Sequence, residues 1–203
     1  MTTLVIEDVK VFSNIVEMLY QYDDESKLKI FDKKLILNSE IEVVTDILGY
    51  NVNTPALLKT VYSNLEKQLI EKLEIRSIFE NLILDLEDLI KEEFIDYDLD
   101  LEIGEVTIQQ IFKVFGVRVE VDNRTIFEKI TEIIKVFKYQ IKKKLLIFIN
   151  VCSYLDSVEI VQLREYISLY HLNVLFLEPK KIYGINQYIL DKDYYLYRRN
   201  AII

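Results

Sequence analysis

LLIFINVCSYLDSVEIVQLREYISLYHLNVLFL, residues 145–177, is the stretch that decides the fold. Its two ends, residues 145–149 and 172–177, are short apolar runs broken only by Asn173, the pattern of strands buried on both faces. Between them Asp156 and Glu159 stand three apart, as in a capping box, and predict a helix that ends near Leu169. Strand, helix, strand is the unit from which parallel sheets are built. The predicted class is therefore α/β with a mostly parallel sheet.

Working back from that unit, residues 125–141 carry Ile130, Ile133, Ile134, Phe137 and Ile141 on one face of a predicted helix that opens at Thr125. At the start of the chain, residues 3–6 are β-branched and apolar and read as a buried strand. Glu7 and Asp8 then open a helix with Val9, Phe12, Val16 and Leu19 at helical spacing, ended by the polar run 22–26. Residues 28–31 and 41–48 read as two further strands. From Pro55 to Tyr97 the pattern is helical: Leu57, Leu58, Val61 and Leu65 share one face, and Ile78, Leu82, Leu86 and Leu89 a later one, with a turn expected within 72–76. An acidic segment, 96–105, precedes a short predicted helix over 107–115 that Gly116 stops. Residues 117–122 alternate and read as a strand or extended edge. The chain thus divides into an α/β part, 1–54 with 117–203, and a helical subdomain, 55–116.

Composition narrows the function. A hydrophobic content of 51% supports a buried core, and a net charge of −9 excludes a protein that coats nucleic acid with its whole surface, so any contact with phosphate must be local. The single cysteine, Cys152, allows no intramolecular disulfide and follows an apolar run where a packed thiol is the expectation. Residues 1–10 lack the basic, apolar and small-residue order of a signal peptide, and charges interrupt every apolar stretch short of a membrane span. The expectation is a cytoplasmic protein.

Enzyme signatures are sparse. One histidine, His171, offers neither a histidine pair for a metal nor an ordinary nucleophile triad, and it is expected in a surface loop. Gly49, Gly104, Gly116 and Gly184 stand alone, so no phosphate loop of either common type is present. An acidic Glu7-Asp8 pair sits where such a loop would follow the first strand.

Two constellations stand out instead. On a helix, Lys135, Lys138 and Lys142 fall in a stripe roughly 60° wide beside the apolar face, and Lys143 and Lys144 extend the charge past the helix end. Lysine is a mobile point charge suited to phosphate without base specificity. A solvated helix face has the same pattern, and periodicity does not choose between the two. Phe137 and Tyr139 interleave the lysines in a way that packing explains. The second constellation is acidic: Asp98, Asp100 and Glu102 alternate with leucines, Glu105 follows Gly104, and Glu120 and Asp122 alternate likewise. Two oxygen-rich edges brought together suit Ca²⁺, although solvated loops fit the same sequence and the EF-hand spacing is missing.

The chain resembles a known family, the ring-forming Csn-two CRISPR adaptation proteins of type II-A systems. The resemblance is carried by Ile6-Glu7-Asp8-Val9 with Val11-Phe12-Ser13, by Leu19-Tyr20-Gln21-Tyr22, and by Val44-Thr45-Asp46-Ile47-Leu48-Gly49. Further along lie Leu99-Asp100-Leu101-Glu102, Thr125-Ile126-Phe127-Glu128-Lys129, Phe137-Lys138-Tyr139 and Lys142-Lys143-Lys144-Leu145-Leu146. Val174-Leu175-Phe176-Leu177-Glu178-Pro179 and Gln187-Tyr188-Ile189-Leu190-Asp191 complete it. The match runs nearly end to end.

That resemblance implies an α/β head shaped like a phosphate-loop kinase without the nucleotide site, a helical leg, and assembly into a homotetrameric ring. It implies binding of double-stranded DNA ends through a lysine-lined channel, with Ca²⁺ supporting the ring and with the CRISPR integrase and effector nuclease as partners in spacer acquisition. The DNA-contacting residues would come from Lys135, Lys138, Lys142, Lys143 and Lys144, and the metal ligands from Asp100, Glu102, Glu105, Glu120 and Asp122. Gly104 stands where the family would have an acid, and the family has a further strand-turn segment ahead of the position of Thr3. A rival expectation is a nucleotide-dependent kinase or ATPase with a degenerate phosphate loop. A third is a scaffold that touches only proteins.

Overall fold

A computed structural model describes residues 1–200 apart from Asp24, Lys33, Asp122, Asn123 and Ile141. Backbone contacts divide the chain into two compact units, Met1–Val52 with Val121–Ile203, and Asn53–Glu120. The first holds β1 (Thr2–Ile6), α1 (Val9–Tyr20), β2 (Phe31–Asp32), β3 (Lys34–Leu35), β4 (Ile41–Val44), α5 (Ile126–Tyr139), β5 (Leu145–Ile149), α6 (Ser157–Leu169), β6 (Val174–Glu178), β7 (Gln187–Leu190) and β8 (Leu196–Arg199). The second holds α2 (Pro55–Ile70), α3 (Leu73–Phe94) and α4 (Ile108–Val114).

Six strands form one sheet in the order β4-β5-β6-β1-β7-β8. Every neighbouring pair is parallel except the β7–β8 hairpin. The β5-α6-β6 unit read from sequence is at its centre: Leu146 to Ile149 pair in register with Val174 to Leu177, so Phe148 lies opposite Phe176. Both rings are fully buried and meet edge-on with centroids 5.5 Å apart. The capping box forms as the spacing predicts, with Asp156 Oδ1 accepting from the Val158 and Glu159 amides and Glu159 Oε2 accepting from the Asp156 amide. Each oxygen satisfies amides that the helix start leaves without intrahelical partners.

Several boundaries differ from expectation. Of residues 28–31 only Phe31 is in a strand, and it pairs in the small β2–β3 hairpin outside the main sheet. β4 stops at Val44, because Asp46 Oδ1 accepts from the Gly49 amide and curls residues 47–49 into a turn. β6 begins at Val174 and not at Leu172. Val9 is exposed; the buried face of α1 runs through Val11, Phe12, Ile15, Val16 and Leu19, which pack against Leu4 and Ile6 of β1.

In the helical unit the turn falls at Glu71 and Lys72, overlapping the expected 72–76 only at Lys72. Thr54 caps α2 and Pro55 occupies its first turn, where a missing amide costs nothing. Thr107 and Gln110 form a capping box on α4, and Gly116 ends it at a positive φ of 65°. Residues 117–121 form no strand. Val119 is held instead by Asn53, whose side chain donates to its carbonyl at 2.9 Å and accepts from its amide at 2.8 Å. The face of α3 that periodicity marks as apolar has no cover: Ile78, Leu82, Leu86 and Leu89 are each about three-fifths exposed, and no residue of the helix is buried.

Candidate nucleic-acid interface

The candidate interface is built on α5. Thr125 and Glu128 close a capping box at its start, and Glu128 Oε2 also accepts from the Arg124 amide at 2.7 Å. Ile130, Ile133, Ile134 and Phe137 are buried, which fixes the rotation of the helix and turns Lys135 and Lys138 outward. The helix ends at Tyr139, sooner than the stripe requires. The cause is tertiary: the Lys144 amide donates to the Glu40 carbonyl at 2.6 Å, starting the parallel ladder in which Ile41 lies opposite Leu145. The chain must leave the helix to reach that bond, so Lys142 sits in a turn.

The five lysines therefore part company. Lys143 Nζ lies 3.1 Å from Glu42 Oε2 and also donates to the Ile41 carbonyl. Lys144 is bonded to Glu40, and that bond holds the Glu40 carboxyl below its usual range. Both cations are thus engaged in joining the start of β5 to the start of β4. Lys138 Nζ sits 3.8 Å from the centroid of the Tyr170 ring, a cation–π contact. Lys135 and Lys142 are exposed and make no ion pair among the described residues.

Sequence reasoning missed the tyrosines around this patch. Tyr166 and Tyr170, one helical turn apart at the end of α6, have ring centroids 4.7 Å apart. Tyr166 is pushed above its ordinary range by burial and by the neighbouring Tyr170 and Tyr139 phenols. Phe137 is packed in the core, as expected, but Tyr139 is half-exposed. The i, i+4 spacing of Tyr166 and Tyr170 was a readable signal of their contact. Their meeting with Lys138 was not, because it depends on how α5 lies beside α6.

The acidic constellation is dispersed. Asp100, Glu102, Glu105 and Glu120 are all exposed, Asp100 to Glu105 in irregular backbone, and Asp122 lies outside the described residues. No three metal-ligating side chains come together among the described residues. His171 is exposed in a turn at a positive φ of 52°.

At the opposite end of the strands, where α/β folds commonly hold ligands, acids occupy the ground. Asp8 Oδ1 accepts from the Lys10 and Val11 amides and fills the amino terminus of α1, the position a phosphate would take. Glu7 pairs with Lys181 at 2.9 Å. Glu178, buried at the end of β6, accepts from the Cys152 amide at 3.0 Å, and burial raises its carboxyl above the usual range. Burial, reinforced by Glu178, also pushes the Cys152 thiol far up, which suits a packed group and not a nucleophile. No helix among the described residues is long and apolar enough to cross a membrane.

Comparison with known proteins agrees with the resemblance read from sequence. A family model described as CRISPR-associated protein (Cas_Csn2) matches residues 21–194. The CRISPR-associated protein Csn2 of Streptococcus agalactiae is 46% identical over 203 residues, covering 99% of this chain and 92% of its own. The protein of the same name from Enterococcus faecalis is 47% identical over 197 residues, covering 96% and 90%.

Proposed function

Because the chain belongs to the CRISPR-associated Csn2 family, we propose that it serves spacer acquisition in a type II-A system as a homotetrameric ring that binds the ends of double-stranded DNA, without sequence preference and without catalysis. The observation that carries this reading is the pair Lys135 and Lys142, exposed and without carboxylate partners among the described residues in a protein of net charge −9. Lys138 stands beside them on its tyrosine. Cations left unpaired on an acidic protein form a local field that attracts phosphate. One such patch supplies few phosphate contacts; four copies around a duplex supply enough for firm binding.

Self-association is supported by α3. Its 22 residues include none that is buried, and its leucines and isoleucines exceed what a lone subunit has reason to expose. A second copy is the natural cover. The case against a nucleotide-dependent enzyme rests on Asp8, whose carboxylate already holds the amides of the α1 amino terminus.

Calcium requires six to eight oxygens, and the described acids of one subunit do not supply a cluster. The reading therefore assigns the ion to carboxylates of neighbouring copies, with Asp100, Glu102, Glu105 and Glu120 exposed to take part. The CRISPR integrase and effector nuclease complete the partners of this reading.

The test is binding of linear against covalently closed duplex at several salt concentrations, together with mass in solution with calcium and with chelator. Linear duplex should bind in preference, with affinity falling steeply as salt rises, and chelation should lower the mass. Equal binding to closed circles would refute the end-binding element, and a calcium-independent mass would refute the metal.

A further inference from the structure

The strands of the α/β unit end in two unlike edges. The carboxyl ends carry Glu7, Asp8 and Glu178, whereas the amino ends of β4 and β5 carry exposed Lys142 beside Lys143 and Lys144, which Glu42 and Glu40 engage. Farther along the same amino edge, beyond β6, a cavity of about 250 Å³ is lined by Thr3, Arg164, Asn186, Tyr188 and Arg198. With strands about 4.8 Å apart, the step from β5 to β8 is roughly 19 Å.

Two features of this cavity call for a ligand. Arg164 and Arg198 both line it, both are exposed, and neither has an ion-pair partner among the described residues. Two guanidinium groups lining one space repel each other unless an anion joins them. The volume falls below the roughly 300–1,000 Å³ of sites that enclose whole small molecules, which suits a small anion.

We infer that this cavity binds a phosphate group, its charge held by the Arg164 and Arg198 forks. Arginine is the fitting side chain because its planar fork matches two phosphate oxygens at once. The phosphate has two sources, free inorganic phosphate or a phosphate of bound DNA. Only the second rests on the DNA-binding reading above.

The test has two arms. In the first, inorganic phosphate is titrated calorimetrically, at constant ionic strength, into the wild-type protein and into Arg164→Gln/Arg198→Gln. Wild type should show saturable binding, and the double variant should lose at least tenfold in affinity. No saturable heat in wild type, or equal affinity in the double variant, overturns the inference.

In the second arm, linear duplex is titrated against the same proteins and against Lys135→Glu/Lys142→Glu. Weaker duplex binding by the arginine variant identifies DNA as the source, and unchanged duplex binding identifies free phosphate. Phosphate binding without any duplex binding would sink the DNA reading and leave this site standing. Duplex binding without phosphate binding would do the reverse.

Discussion

Lys142 and Lys143 are neighbours in sequence and opposites in environment, so Lys142→Gln and Lys143→Gln should separate in two assays. Lys142 is exposed and has no ion pair among the described residues, whereas Lys143 is held by Glu42 at 3.1 Å with both side chains about three-quarters covered. Each phosphate contact removed should flatten the slope of log affinity against log salt by about 0.9. Between 50 and 200 mM salt one such contact accounts for about a 3.5-fold change in affinity. Lys142→Gln should therefore flatten the slope measured by fluorescence anisotropy on linear duplex and leave the melting temperature unchanged. Lys143→Gln should keep the slope and lower stability, because Glu42 loses its cation while still accepting from the Tyr50 hydroxyl at 2.9 Å. A partly covered pair of this kind contributes about 1 kcal/mol, or roughly 2–4 °C for a chain of this size. Equal flattening by both substitutions, with neither affecting the melting temperature, would refute the division of these lysines into structural and phosphate-facing groups.

Other expectations follow from the core, the buried acid and the uncovered helix. Phe148→Ala should cost about 3–5 kcal/mol in denaturant unfolding, since the ring is fully buried against Phe176. Glu178 has its carboxyl raised by burial, so the folded state holds its proton to higher pH than the unfolded state does. Wild type should therefore lose stability relative to Glu178→Gln as pH climbs from the ordinary carboxylate range through the raised value; a gap that does not change with pH would contradict this. Leu82→Glu with Leu89→Glu should lower the mass seen by light scattering while leaving helix content by circular dichroism intact, if a second copy covers α3.

What the sequence reveals depends on how far away the deciding partner lies. The β5-α6-β6 unit was legible because its apolar runs and its Asp156–Glu159 box act within a few residues. The end of α5 was not, since it is set by the bond from Lys144 to Glu40 across the sheet, and the same distance hid the acids that engage Lys143 and Lys144. Helical periodicity identified the apolar face of α3 correctly but cannot tell a face covered by its own chain from one left open. The β7–β8 hairpin left a faint signal: Asp191 Oδ1 accepts from the Asp193 and Tyr195 amides, an aspartate-built turn that the Asp-Lys-Asp run foreshadows. Arg164 and Arg198 carried none, because they come from α6 and β8 and share no local pattern.

The Asn53–Val119 clip has a bearing on the order in which this chain folds. β4 and β5 are adjacent strands, yet Ile41 and Leu145 are about a hundred residues apart in sequence. Closing so long a loop costs roughly 2 kcal/mol more than closing the dozen residues a parallel crossover needs. The paired hydrogen bonds of Asn53 to Val119 tie off the helical unit at its own base and leave about forty residues to close. A chain that forms its helices first meets a smaller entropic barrier to its sheet, and Asn53→Ala should slow refolding by more than it speeds unfolding.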